Sequence, residues 1–274
     1  MDEDYKDRLS RLDRLDEQPA TSTSSTQTTR LNQPHSIYQD KIYWALMLIS
    51  IIAQLAIWWI YPLIYSRHLD AQSWQPSPVL IIYSVLLALA TYLTFTHGLK
   101  QRINYLFILL PICFIYFLYQ QMTIQQVILL VLLPLSLFLM NVPWLNLNNI
   151  LGLILYSSLA TLSMPVVIFY QENTFLTQPF LISLLPLFMN YMYYMSSIFV
   201  TDGQEKRVTG LILGIVLLLN VLSLSWNFWT FLAIVIIIFT WMVLINFDVK
   251  YKYRMGLLSF FEMITVLVIF LQQR

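Results

Sequence analysis

The chain has 274 residues, of which 58% are hydrophobic and 11% are charged, and its formal net charge is +1. A soluble domain carries about 25% charged residues, so a chain this poor in charge is not expected to face water all round and indicates a protein embedded in a bilayer. The near-zero net charge argues against a general affinity for nucleic acid, and the single cysteine, Cys113, excludes an intrachain disulfide.

Residues 1–40 form a polar tail. Three leucines recur at every third position, Leu9, Leu12 and Leu15, which is compatible with a short amphipathic helix, although so short a helix is marginal in water. The second half of the tail is rich in Ser and Thr and is typical of a disordered linker. We expect no cleavable signal peptide, because the chain opens with acidic residues instead of a basic segment and an apolar core. Residues 1–34 are a candidate docking segment for a cytoplasmic protein partner.

The remainder, residues 41–274, is a series of apolar runs separated by short loops. A membrane-spanning helix needs about 20 predominantly apolar residues. Nine runs are taken as spans, at 42–65, 78–97, 104–120, 125–143, 150–170, 179–200, 208–225, 228–247 and 255–271. The sequence therefore predicts an all-α, polytopic transmembrane bundle of about nine spans, surrounded by membrane lipids.

Lysine and arginine in short loops predict the orientation, because cytoplasmic loops are enriched in both. With the tail inside, the cytoplasmic loops carry Lys100, Arg102, Lys206, Arg207, Lys250, Lys252 and Arg254, and the outer side carries Arg67 and Arg274. This asymmetry predicts the N-terminus inside, the C-terminus outside and an odd number of spans. A bacterial plasma membrane is the expected location.

Few polar residues fall inside the predicted spans. Glu262 is the only acid clearly within one, about two turns from its cytoplasmic end. An ionised carboxylate is costly in hydrocarbon, so we expect Glu262 to face the bundle interior, to be protonated or to have a partner such as Arg254. A proton or cation relay and a packing hydrogen bond both remain open, with the second favoured. Asn190, Asn220 and Gln54 are expected to make interhelical hydrogen bonds.

The stretch TDGQEKRVTG, residues 201–210, concentrates charge between two apolar runs. Its acids are Asp202 and Glu205, and two basic residues follow them directly. A charged turn that fixes the orientation of two helices is the favoured interpretation. The alternative is a metal and diphosphate site.

Nine spans with this loop after the sixth resemble the UbiA superfamily of membrane prenyltransferases. That family has two Asp-rich motifs on the cytoplasmic side, after the second and sixth spans, whose carboxylates hold Mg²⁺ and through it an isoprenyl diphosphate. Asp202 and Gly210 keep the first and last places of the second motif, and the preceding LPLFMNYMYYMSSIFV looks like the family's sixth span. Lys206 replaces the motif's second Asp, and residues 90–102 contain no acid where the first motif should be. The resemblance implies a diphosphate site formed by Asp202, Glu205, Lys206, Lys100 and Arg102, with Mg²⁺ as cofactor.

Three functions follow from these observations. A non-enzymatic polytopic membrane protein with an accessory, lipid-binding or transport-related role is favoured, because no spacing typical of a catalytic or metal site occurs. A divergent UbiA-like prenyltransferase and a proton-coupled carrier that uses Glu262 are the alternatives. The sequence leaves open whether the chain is an enzyme.

Overall fold

The computed structural model describes residues 41–66, 77–99, 101–173, 175–200, 203–242 and 250–273. Residues Asp40–Arg274 form one compact unit, and the tail with its predicted amphipathic helix lies outside the described residues. Every regular element in the described part is helical. The helices are α1 (Lys41–Ser66), α2 (Pro78–His97), α3 (Arg102–Tyr119), α4 (Ile124–Asn141), α5 (Ile150–Leu162), α6 (Met164–Asn173), α7 (Gln178–Phe199), α8 (Gly203–Leu222), α9 (Phe228–Thr240) and α10 (Tyr251–Gln273), with a short 3₁₀ turn at Pro143–Leu145.

Six of these stretches are long and apolar enough to cross a membrane. They are Lys41–Leu63, Pro78–His97, Arg102–Tyr119, Ile124–Asn141, Ile150–Gln171 and Tyr253–Gln272. The chain is therefore a multi-pass membrane protein whose described part is all-helical, as the sequence predicts. The total of nine spans and the orientation of the termini stay predictions.

The predicted fifth span is two helices instead of one. The helix breaks at Ser163, whose ψ is −89°, and restarts with Pro165 as the second residue of α6. Proline is tolerated in the first turn of a helix because the N–H that it lacks would have no partner there. The break therefore falls where the proline no longer interrupts a hydrogen-bonded turn.

Helices α1 and α10 run parallel through the interior. Three pairs of residues, each pair at a similar distance from the start of its two helices, contact each other. Gly256 lies against Leu46, and Ser50 donates a hydrogen bond to Ser259 at 3.0 Å. Further along, the ring centroids of Tyr61 and Phe270 are 3.8 Å apart. A parallel pair has this register, whereas an antiparallel pair would reverse it. This seam positions the polar residues described below.

The helices define two ends of the bundle. At the first, which we call the Lys41 end, Arg254 at the start of α10 donates to the carbonyl of Ser197 at the end of α7, at 3.0 Å. At the second, the Ser77 end, Ser77 before α2 donates to Gln121 after α3, at 2.7 Å. Helix α7 thus ends where α10 begins, and α2 begins where α3 ends.

Candidate functional site

Glu262 lies in the bundle interior. It is 0% exposed and stands halfway along α10. The sequence places Glu262 about two turns from a helix end, but α10 begins at Tyr251, four residues earlier than the predicted span. The carboxyl group is therefore about three turns from the helix start, halfway along the candidate membrane span Tyr253–Gln272.

Within the described part of the chain, no basic side chain bonds to this carboxyl group. Neither oxygen of Glu262 makes a hydrogen bond to any described residue. Arg254, which the sequence offers as a partner, instead donates to the Ser197 carbonyl at the Lys41 end. A cation at the carboxyl end of a helix is favoured by the helix dipole, so Arg254 has a structural role there, away from Glu262.

Three buried tyrosines lie within electrostatic range of the carboxyl group. Tyr156 on α5 and Tyr191 and Tyr194 on α7 each lie close enough to interact with it electrostatically. The rings of Tyr156 and Tyr191 pack edge to face, with centroids 6.2 Å apart and planes at 90°. The hydroxyl of Tyr194 hydrogen-bonds with that of Thr265, one turn along from Glu262, which fixes α7 against α10.

Helix α1 supplies the remaining polar groups. The hydroxyl of Tyr191 donates to Oε1 of Gln54 at 3.4 Å, so the interhelical bond expected of Gln54 is present. The indole of Trp58, one turn further along α1, lies beside the same hydroxyl without a hydrogen bond of ordinary geometry. We call Gln54, Trp58, Tyr156, Tyr191, Tyr194 and Glu262 the Glu262 cluster.

The cluster contains several buried polar atoms without hydrogen bonds. Among the residues that the structure describes, these include Nε2 of Gln54, Nε1 of Trp58, the hydroxyl of Tyr156 and both oxygens of Glu262. All six cluster residues are 0% or 1% exposed. Because an unsatisfied buried polar group costs about 1–3 kcal/mol, a native fold rarely collects so many in one place without a functional reason.

The two asparagines lie outside the cluster. Asn190 is 1% exposed, but its Nδ2 donates to the carbonyl of Pro186 in the same helix, at 2.8 Å, instead of to another helix. Asn220 is two residues from the end of α8, where its carbonyl accepts from the hydroxyl of Ser223 at 2.7 Å. Neither residue makes the interhelical side-chain bond expected from the sequence within the described part of the chain.

The residues of the predicted diphosphate site are only partly described. Asp202 and Lys100 lie outside the described residues. Glu205 and Arg102 are exposed, whereas Lys206 is 3% exposed. An open crevice of about 840 Å³ lies at the Lys41 end and is lined by Asn148, Asn149, Ile150, Leu151, Phe199, Val200, Gln204, Glu205, Val208 and Thr209.

This crevice includes Glu205 but neither Arg102 nor Lys206 in its lining. Mg²⁺ bound to a diphosphate is usually held by one or two carboxylates, and the family's motif supplies several. The described lining has one, and no three His, Cys, Asp or Glu side chains of the described segments lie together as a metal site. The described residues thus supply one carboxylate to the Mg²⁺ site that the resemblance implies, and Asp202, the other acid of the motif, lies outside them.

No protein-family model, no curated protein and no solved structure matches this chain. The resemblance to the UbiA superfamily thus stays a prediction. What the chain does has to be argued from the geometry of its own residues, and the Glu262 cluster is the most distinctive site that they form.

Proposed function

We propose that this membrane protein is a proton-coupled carrier in which Glu262 binds and releases the proton. The observation that supports the proposal is a fully buried carboxyl group, halfway along a membrane helix, without a hydrogen bond or a basic partner among the described residues. Ionisable residues inside membrane spans are rare and usually belong to a substrate or proton pathway.

The position of Glu262 supports this role. Carriers bind their substrates and coupling ions near the bilayer midplane, between helices that can move against each other. The cluster is built from four helices, α1, α5, α7 and α10, and the helix break at Ser163 follows the segment that holds Tyr156. A rearrangement of these helices would expose the cluster to one end of the bundle and then to the other.

The coupling follows from the cost of charge in hydrocarbon. An ionised carboxylate without a partner is unfavourable in the closed bundle. The charge on Glu262 must therefore appear and disappear with access to water or with the arrival of a compensating cation. A group whose charge state differs between conformations links proton binding to conformational change.

Coupled proton flux in liposomes tests the proposal. Purified protein is reconstituted with a membrane-impermeant pH dye inside, a pH gradient is imposed, and small amines, amino alcohols, polyols and carboxylates are added in turn. We expect at least one class to collapse the gradient with wild-type protein and not with Glu262→Gln. Glu205→Gln, at an exposed carboxylate in the first turn of α8, is the matched control and should behave as wild type. If no class produces flux that depends on Glu262, the carrier proposal is wrong.

We further propose a bacterial plasma membrane location with the Lys41 end in the cytoplasm. The excess of Lys and Arg in the loops of that end supports this orientation. The single cysteine makes the test direct. In a Cys113→Ala background, Gln120→Cys at the Ser77 end should react with an impermeant maleimide added outside intact cells, and Asn148→Cys should react only after lysis. The reverse pattern would contradict the orientation.

A second candidate function is binding of an isoprenyl diphosphate at the crevice that contains Glu205. Its support is the crevice itself, in which apolar side chains from α5 and α7 stand beside the charged first turn of α8. Reconstituted protein would be titrated with farnesyl diphosphate with and without Mg²⁺. If Asp202→Ala and Glu205→Ala together leave the binding unchanged, this candidate fails.

A further inference from the structure

The groups without hydrogen bonds in the Glu262 cluster are of two chemical kinds. Glu262 presents two oxygens, whereas Gln54, Trp58 and Tyr156 present N–H or O–H groups that can donate. A complementary ligand therefore carries a group that satisfies the carboxylate and, close to it, an atom that accepts hydrogen bonds. The arrangement favours one small molecule with both features over two unrelated occupants.

The charge of the cluster selects a cation for the first feature. Glu262 is its only ionisable group apart from tyrosines, and the buried Arg254 is about two turns away along the same helix. An anion would meet the carboxylate, and no member of the cluster offers it a cation. A neutral ligand would leave an ionised Glu262 uncompensated in hydrocarbon.

The walls of the cluster suit an organic cation better than a metal ion. The rings of Tyr156 and Tyr191 pack edge to face within electrostatic range of the carboxyl group, and Trp58 lies next to Tyr191. Aromatic faces attract ammonium groups, and more strongly when both are desolvated. A hard divalent cation would instead need several oxygen ligands with full or partial negative charge.

The burial of the cluster limits the size of the ligand. All six members are at most 1% exposed, so the arrangement described is closed, and the helices would have to separate least to admit a molecule of a few heavy atoms. From these observations we propose that the Glu262 cluster binds a small protonated amine that carries a hydrogen-bond-accepting oxygen, such as an amino alcohol. This inference rests on the proposed carrier function and names its substrate class.

Binding exchanges one charge for another. The ammonium group pairs with ionised Glu262, and the proton that neutralised the carboxyl group leaves to water. The oxygen of the ligand accepts hydrogen bonds from Gln54 and Tyr156. One cation enters and one proton leaves, so the net charge of the buried site does not change. This is the exchange that a proton-coupled carrier of amines requires.

Four related probes separate the parts of the inference: ethanolamine, ethylamine, ethylene glycol and glycolate. Each is titrated calorimetrically into protein in lipid nanodiscs, in buffers of different ionisation enthalpy, so that the protons released on binding are measured with the affinity. We expect ethanolamine to bind at least about tenfold more tightly than ethylamine, because a site built to donate to an oxygen discriminates against the analogue that lacks it. We also expect about one proton to be released for each ethanolamine bound.

Variants assign these effects to residues. Glu262→Gln should abolish ethanolamine binding and proton release. Tyr156→Phe should reduce the preference for ethanolamine over ethylamine severalfold and leave the affinity for ethylamine unchanged. The matched control is Tyr83→Phe, in which the lost hydroxyl donates to the Leu130 carbonyl between α2 and α4 at 2.7 Å. It should bind all four probes as wild type does.

The outcomes distinguish the inference from the function on which it rests. If ethylene glycol or glycolate binds more tightly than ethanolamine and drives proton flux through Glu262, the carrier function stands and the amine inference is overturned. Equal affinity for ethanolamine and ethylamine overturns the role of the accepting oxygen. If no solute produces flux that depends on Glu262, the carrier function itself fails and the inference fails with it.

Discussion

Two glutamates of this chain have opposite environments. Glu262 is 0% exposed at the middle of α10. Glu205 is exposed in the first turn of α8, on the wall of an open crevice. The helix dipole and water both stabilise the charge of Glu205, whereas the bundle offers Glu262 neither an opposite charge nor a hydrogen bond among the described residues.

The comparison shows that conspicuous charge in a sequence is a poor guide to chemistry in a membrane protein. The charged turn around Glu205 attracts attention because charge is scarce in the chain. A carboxylate at the membrane surface costs little and has a ready explanation as a determinant of orientation. The isolated acid in an apolar run, Glu262, is the one whose burial costs free energy. A buried carboxyl group without a hydrogen bond or an opposite charge indicates a function.

The largest expected effect on stability comes from substitution of two glycines, Gly256 in the α1–α10 seam and Gly152 near the crevice that contains Glu205. At Gly256 an added Cβ would lie 2.7 Å from Cβ of Leu46 and 2.9 Å from its carbonyl oxygen, inside the α1–α10 seam. At Gly152 it would lie 1.8 Å from the carbonyl oxygen of Leu147, behind the crevice. We expect Gly256→Ala and Gly152→Ala each to destabilise the protein by roughly 1–3 kcal/mol, measured by thermal unfolding in detergent, because backbone must move in both.

The two variants should differ in activity. The α1–α10 seam holds Gln54 and Glu262 together, so Gly256→Ala should also lower proton flux that depends on Glu262. Gly152→Ala should leave this flux unchanged in the protein that remains folded. Equal losses of flux in the two variants would contradict the assignment of the site to the seam.

The next prediction is that the same substitution at the two glutamates changes the stability of the protein by different amounts. Glu262→Met replaces the buried carboxyl group with an apolar side chain of similar size. It should stabilise the protein by about 1–3 kcal/mol while abolishing coupled flux, because it removes a buried polar group without a hydrogen bond. Glu205→Met should change stability by no more than about 0.5 kcal/mol, as expected of an exposed position. Destabilisation by Glu262→Met would mean that the carboxyl group has a structural partner.

Much of the fold follows from the sequence. The apolar runs predict where the helices lie, because a bilayer forces each run to satisfy its own backbone hydrogen bonds. The break at Ser163 was not predicted, since Pro165 alone is compatible with a kink as well as with a new helix. The start of α10 at Tyr251 was missed because the polar residues YKYR can extend a membrane helix beyond the hydrocarbon.

The site follows from the sequence only in part. Glu262 is identifiable because it is the one acid within a predicted span. Its partners are not, because Tyr156, Tyr191 and Trp58 resemble any aromatic residue of a membrane helix, and sequence alone does not show which helices meet. A signal does exist in hindsight: Gln54 and Trp58 are four residues apart, and Tyr191 and Tyr194 are three apart, so each pair lies on one face of its helix.

The smallest expected effect compares two helix caps at opposite ends of the bundle. Asn149 before α5 accepts a hydrogen bond from the backbone N–H of Gly152 at 3.1 Å, and Asn227 before α9 accepts one from Thr230 at 3.0 Å. Aspartate caps a helix as well as asparagine does and adds a favourable charge at the helix start, so Asn227→Asp should stabilise the protein by about 0.5 kcal/mol.

Asn149→Asp should not give this gain, because the crevice differs from the Asn227 site in two ways. The Nδ2 of Asn149 donates to the carbonyl of Asn146 at 3.1 Å, a bond that aspartate cannot make. Glu205 also lines the same crevice as Asn149. Combining Asn149→Asp with Glu205→Gln separates the two causes. A gain in stability that appears only in the double variant assigns the difference to the charge of Glu205. If the double variant also lacks the gain, the lost hydrogen bond to Asn146 is the cause. If Asn149→Asp alone raises the Tm as much as Asn227→Asp, then Glu205 does not set the electrostatics of the crevice, and the contrast between the two glutamates rests on burial alone.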